Sequence, residues 1–205
     1  MPTISELKKQ SGAKYFVSFF GKTSVPVTAP DYQLMKKIAA YVVEHGSGVI
    51  HGGYTGGMME AVSLGAQEVI AQKGLSQHYD IGVLHALHDL THGQRTLNSV
   101  FTDAMPDTFD RLRAVVSGDV NIVCSIGGDG TELEASYVFS ENTFAEKPTP
   151  LIFVQTETGT QWSEIIDTKI RVLSHDQKSR ADFPWLYFAH SFEKCIHILN
   201  SLLFR

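Results

Sequence analysis

Cysteine is scarce in this chain. Cys124 and Cys195 are the only two in 205 residues, and Cys124 lies in an apolar run that reads as a buried strand. A disulfide framework is therefore not expected. Concentrated positive charge is missing as well. Lys and Arg number 17 against 22 Asp and Glu, for a formal net charge of -5, and no Lys/Arg-rich stripe occurs. This argues against duplex nucleic acid, whose phosphates are held by clustered cations. No apolar run approaches the length needed to cross a bilayer, so no membrane partner is expected. The first residues, Met1 to Gln10, are polar, carry Lys8 and Lys9, and lack the apolar stretch of a signal peptide. The expected location is the cytoplasm. Linkers, repeats and low-complexity tracts are also absent. The simplest organisation is one domain over residues 1–205, with 1–12 either disordered or a short N-terminal helix.

What is present is an alternation of short apolar runs with helical stretches, the pattern of βαβ units and a mostly parallel, doubly wound sheet. Strands are expected at Tyr15 to Phe20, Gly48 to His51, Asp80 to Leu84, Val120 to Ile126, Leu151 to Val154 and Trp185 to Ala189. Helices are expected from Asp31 to His45, where Leu34, Met35, Ile38, Ala39 and Val42 recur at helical spacing, and from Gly57 to Gln72. Further helices follow from the Asp107 cap to about Ser117, from Thr131 to Asn142, near Thr160 to Leu173, and from Ser191 to Phe204. His85 to Pro106 mixes loop residues with a strand at Leu97 to Phe101. The fold class is α/β, a Rossmann-like single domain.

Two glycine-rich loops carry the chemistry. In Ser125-Ile-Gly-Gly-Asp-Gly-Thr-Glu-Leu-Glu134, a buried strand feeds Gly127, Gly128 and Gly130 and then a helix. Such a loop aims backbone N–H groups and the positive end of the helix at one point, where a phosphate can sit. Thr131 stands at the expected helix start with Glu134 three residues on. A plain capping box between these two is the alternative reading. The second loop, Gly52-Gly53-Tyr54-Thr55-Gly56-Gly57, places four glycines in six positions, again between strand and helix. It is not the dinucleotide fingerprint, and no lysine follows it as in a P-loop. Two loops at the C-terminal ends of parallel strands would face one crevice, so Gly52, Gly53, Thr55, Gly56, Gly57, Gly127, Gly128, Asp129, Gly130 and Thr131 are the expected phosphate or nucleotide contacts. Ser24, after the first strand, is expected to line the same crevice.

These loops, with Arg111 on the helix between them, resemble the LONELY GUY family of phosphoribohydrolases, many of whose members have been labelled lysine decarboxylase-like. The resemblance runs from about Lys14 to Val154. It implies a Rossmann-like homodimer that hydrolyses the N-glycosidic bond of a nucleoside 5′-monophosphate, AMP-like by default, without metal or organic cofactor. It further implies that Gly127 to Thr131 hold the 5′-phosphate and that Arg111 and Glu134 are the catalytic pair. Arg113 rivals Arg111, since the two point from different faces of a helix and only one can reach the crevice. The chain departs from the family pattern at Tyr54, Glu60 and Ile126.

Three rivals share these residues. The first is a nucleotide-binding protein of the same fold that lacks catalysis. The second is a phosphotransferase, because Gly-Gly-Asp-Gly-Thr also occurs in NAD kinases and lipid kinases. The third is a metal site at His85, His88 and His92, which would need at least three convergent ligands. Lysine decarboxylase chemistry needs a lysine for pyridoxal phosphate with a partner acid, and no such pair stands out.

Overall fold

In the computed structural model, residues 2–91, 93–174 and 177–204 are described. Seven strands form one sheet in the order β4-β3-β2-β1-β5-β6-β7, with every neighbouring pair parallel. The strands are β1 (Phe16–Phe20), β2 (Gly48–His51), β3 (Asp80–Gly82), β4 (Val100–Phe101), β5 (Val120–Val123), β6 (Leu151–Val154) and β7 (Leu186–Ala189). The helices are α1 (Ile4–Ser11), α2 (Pro30–Glu44), α3 (Gly57–Lys73), α4 (Ala86–Thr91), α5 (Thr108–Val115), α6 (Asp129–Phe144), α7 (Trp162–Ser174) and α8 (Phe192–Leu202). The N-terminal segment is helical because Thr3 and Glu6 cap each other's backbone across the first turn.

Strand alternation divides the core into two layers. On β1, Val17 and Phe19 face the cluster built on α2, α3 and α8, while Phe16 and Phe20 face the cluster built on α1, α5, α6 and α7. Both faces of the sheet are covered, which is why its strands read as near-continuous apolar runs. Trp162 and the inner face of α8, with Cys195 and Leu199, belong to these cores. Both cysteines are free and buried.

The chain starts in the middle of the sheet, steps outward to β4, and then returns to place β5 on the other side of β1. The strand order reverses between β1 and β5, and in such sheets a crevice opens there beyond the carboxyl ends of the strands.

The segment expected to be a strand at Leu97 to Phe101 narrows to the two residues of β4. Leu97 is exposed and Asn98 adopts a left-handed φ of 64°, so the chain turns where a strand was expected. The residues just before it pair with the loop after β2. Thr55 N–H donates to the Gln94 carbonyl (2.8 Å) and Thr96 N–H to the Gly53 carbonyl (3.0 Å), an antiparallel bridge that covers the second glycine loop.

Among the described residues, no helix is long and apolar enough to cross a membrane.

Candidate functional site

A cleft of about 810 Å³ opens at the reversal point. The loops after β1, β2 and β5, together with α4, α5 and α6, contribute its walls. Of the residues expected from sequence, Gly52, Thr55, Gly128, Asp129, Gly130, Thr131, Arg111 and Glu134 line it. Gly53, Gly56, Gly57, Gly127 and Ser24 are not among its lining residues.

The loop after β5 explains this split. Helix α6 begins at Asp129, two residues earlier than expected, with Gly128 as N-cap and no side-chain cap. Thr131 therefore sits inside the first turn, buried, and the capping box with Glu134 does not form. The first N–H groups of α6 are left open to an anion at its positive end. A side chain at Gly130 would meet nothing within 4 Å, and one at Gly128 only the Lys22 Cγ, at 4.0 Å. Packing does not demand glycine at either place, and the space beside both is open toward the cleft. Gly127 is different. Its N–H donates to Thr160 Oγ1 (3.0 Å), and a Cβ there would lie 2.2 Å from the Trp162 ring. Trp162 is itself held by its Nε1–H donating to the Cys124 carbonyl (2.8 Å).

Arg111 and Glu134 meet in this cleft. Asp107 accepts from the N–H groups of Phe109 and Asp110, which starts α5 so that Arg111 points inward. Arg113 points away, is 64% exposed and pairs with Asp110. Glu134 lies one turn beyond Thr131 on the inner face of α6. Arg111 Nη1 stands 3.6 Å from Glu134 Oε1, with the two side chains 15% and 13% exposed. The Arg111 Nε–H is buried and has no hydrogen-bond acceptor among the described residues. Burial pushes the Glu134 carboxyl up to about 7, an effect that the neighbouring Arg111 cation only partly offsets. Gly52 makes room for this arrangement, since a Cβ there would lie 2.9 Å from Arg111 Nη2.

The second glycine loop is mainly a packing device. Side chains at Gly56 and Gly57 would strike the backbone of Lys22 and Thr23, so these glycines let α3 start against the loop after β1. The N–H of Gly56 donates to Glu60 Oε2 (3.2 Å), which places a carboxylate at the N-terminus of α3. Gly53 turns with a φ of 81° and donates its N–H to His51 Nδ1 (3.0 Å). His51 Nε2 then bonds Asp80 Oδ1 at 2.7 Å, and the other Asp80 oxygen accepts from Ser63, Gln67 and Ser99, each at 2.8 Å. His51 and Asp80 are fully buried, so they brace the loop from beneath rather than line the crevice.

Tyr54 closes the far end. Its hydroxyl accepts the His85 N–H and donates to the His85 carbonyl, both at 2.9 Å, which pins the loop to the start of α4. Leu87 and His88 line the cleft beside it. His85 is buried, its Nε2 3.3 Å from Thr108 Oγ1, while His92 lies outside the described residues. Among the described residues no group of three or more His, Cys, Asp or Glu is placed to hold a metal.

Lys22 and Thr23 line the cleft where Ser24 was expected. No motif marks Lys22. The only cue is its place directly after the glycine that ends the first strand.

Residues 14–176 match the model of the SLOG cluster4 family. None of the curated proteins compared matches the sequence. Solved structures of the same fold include a molybdenum cofactor binding protein from the phototrophic bacterium Rippkaea orientalis. It is 23% identical, covers 94% of this chain and 99% of its own, and has a TM-score of 0.63. Another is the molybdenum cofactor carrier protein of Chlamydomonas reinhardtii, 15% identical over 94% of this chain and 99% of its own, with a TM-score of 0.64. At these identities the likeness is one of fold. The LONELY GUY resemblance is therefore supported at the level of the SLOG superfamily, and the family is a narrower one within it. The match spans most of the chain, which belongs to the SLOG cluster4 family.

Proposed function

We propose that the cleft binds a nucleoside 5′-monophosphate and that Glu134, beside Arg111, hydrolyses its N-glycosidic bond to free base and ribose 5-phosphate. The observation that carries this reading is the order of groups across the sheet. The open end of α6 lies above β5, Arg111 lies between Glu134 and Gly52, and Tyr54, Leu87 and His88 lie beyond β2. An anion site, a buried acid–base pair and a partly apolar end follow in the order phosphate, sugar, base.

The chemistry needs no group the chain lacks. Breaking the bond between C1′ and the base nitrogen builds positive charge on the ribose. The Glu134 carboxylate stabilises that charge and takes a proton from the water that attacks C1′, then releases the proton toward the departing base. A carboxyl with its pKa near 7 serves both steps at neutral pH. Arg111 orients the carboxylate and the ribose hydroxyls.

The likeness of fold to molybdenum cofactor carrier and binding proteins favours a second reading, in which the same cleft holds its ligand without turnover. Chromatography of AMP, IMP, GMP and CMP incubated with the protein separates the two. Base release supports hydrolysis and ranks the bases. A melting temperature raised by AMP with no base released supports the binding reading.

A further inference from the structure

We infer that Lys22 is the residue that makes this cleft select a phosphorylated ligand over its unphosphorylated counterpart. The inference rests on the ligand being held as proposed above, and it assigns a role to a residue outside both glycine-rich loops.

The backbone of Lys22 is clamped on both sides. Its N–H donates to the Ile126 carbonyl (3.0 Å), in the loop after β5, and its carbonyl accepts from Met58 N–H (2.9 Å), at the start of α3. The side chain has its Cγ 4.0 Å from where Gly128 would carry a Cβ, so the stem runs beside the N-cap of α6. Among the described residues its ammonium has no hydrogen-bond or ion-pair partner.

The charges around the cleft give that ammonium its importance. Among the described residues that line the cleft, Lys22 and Arg111 are the only lysine or arginine, and Arg111 lies beside Glu134. The end of α6 supplies about half a positive charge, but Asp129 in its first turn lines the same cleft with a full negative one. Without Lys22 that corner is net negative and repels a phosphate dianion. With it, the corner becomes attractive and supplies a charge-assisted donor. The second glycine loop offers no substitute, because Glu60 already occupies the N-terminus of α3.

Calorimetry with AMP, adenosine and inorganic phosphate on the wild type, Lys22→Met and Lys22→Arg tests this. The side chain is exposed, so the variants are expected to fold, and an unchanged melting temperature verifies it. The wild type should prefer AMP to adenosine. Lys22→Met should lose about tenfold of that preference with adenosine binding unchanged, and Lys22→Arg should restore it. An unchanged preference in Lys22→Met, or AMP and adenosine binding the wild type equally, overturns the inference. If neither AMP nor adenosine binds but inorganic phosphate binds the wild type and not Lys22→Met, the role of Lys22 stands and the nucleotide reading falls. Phosphate binding equally to both, or binding of none of the three probes, overturns the role of Lys22.

Discussion

Arg111 and Glu134 face each other at 3.6 Å, Nη1 to Oε1, a gap wider than a hydrogen bond, with both side chains mostly buried. The carboxyl stays protonated over a range in which an exposed glutamate would be ionised, since one cation at that distance does not fully offset its desolvation.

Stability should fall as Glu134 ionises. The group titrates at its ordinary 4.5 in the unfolded chain and at about 7 when folded. Between these values the folded state binds the extra proton, so the contribution is fully present below 4.5 and lost as pH rises through 7. The loss is about 3 kcal/mol at most. Denaturant unfolding at pH 4 and pH 8 should show Glu134→Gln gaining on the wild type by that order across the range. A constant difference between the two proteins would place the Glu134 pKa near its ordinary value.

Gly127 and Gly130 should separate packing from binding. An added methyl at Gly127 meets the Trp162 ring at 2.2 Å and should cost about 1–3 kcal/mol of stability. At Gly130 it meets nothing, so Gly130→Ala should keep its melting temperature and weaken AMP binding by crowding the phosphate. Unfolding and calorimetry on the two variants check both halves. Unimpaired AMP binding by Gly130→Ala would remove that glycine from the site.

Asp80 should matter more than its distance from the cleft suggests. It accepts four hydrogen bonds while fully buried and, through His51, sets the turn at Gly53. Asp80→Ala strands these donors and should cost about 3–5 kcal/mol in denaturant unfolding. AMP binding should weaken too, as the loop over Gly52 loosens. A loss of under about 1 kcal/mol would mean that the network is not bracing the loop.

Much of this was readable from the chain, wherever local pattern decides structure. The limits of β2 and β6 match the apolar runs, and Asp107 caps α5 as its position before the helix suggests. The sequence also brings Arg111, Glu134 and the glycines after β5 into one motif, and the fold sets Arg111, Glu134, Gly128 and Gly130 around one cleft. Three features were hidden because they depend on distant partners. Gln94 to Thr96 pair with the glycine loop after β2, some forty residues away in sequence. The glycines at 56 and 57 resemble a phosphate cradle until the backbone of Lys22 and Thr23 is seen against them. Lys22 becomes significant only when β1 and β5 are adjacent in the sheet.

The central claim is that Glu134 acts on the sugar of a ligand whose phosphate is held by α6. Its most direct test is base release from AMP, measured beside AMP affinity, in the wild type and Glu134→Gln. The account predicts release by the wild type, a loss of at least about 100-fold in the variant, and AMP affinity within a few-fold of wild type. Equal release by both proteins, or AMP bound by both with no base released by either, would contradict it.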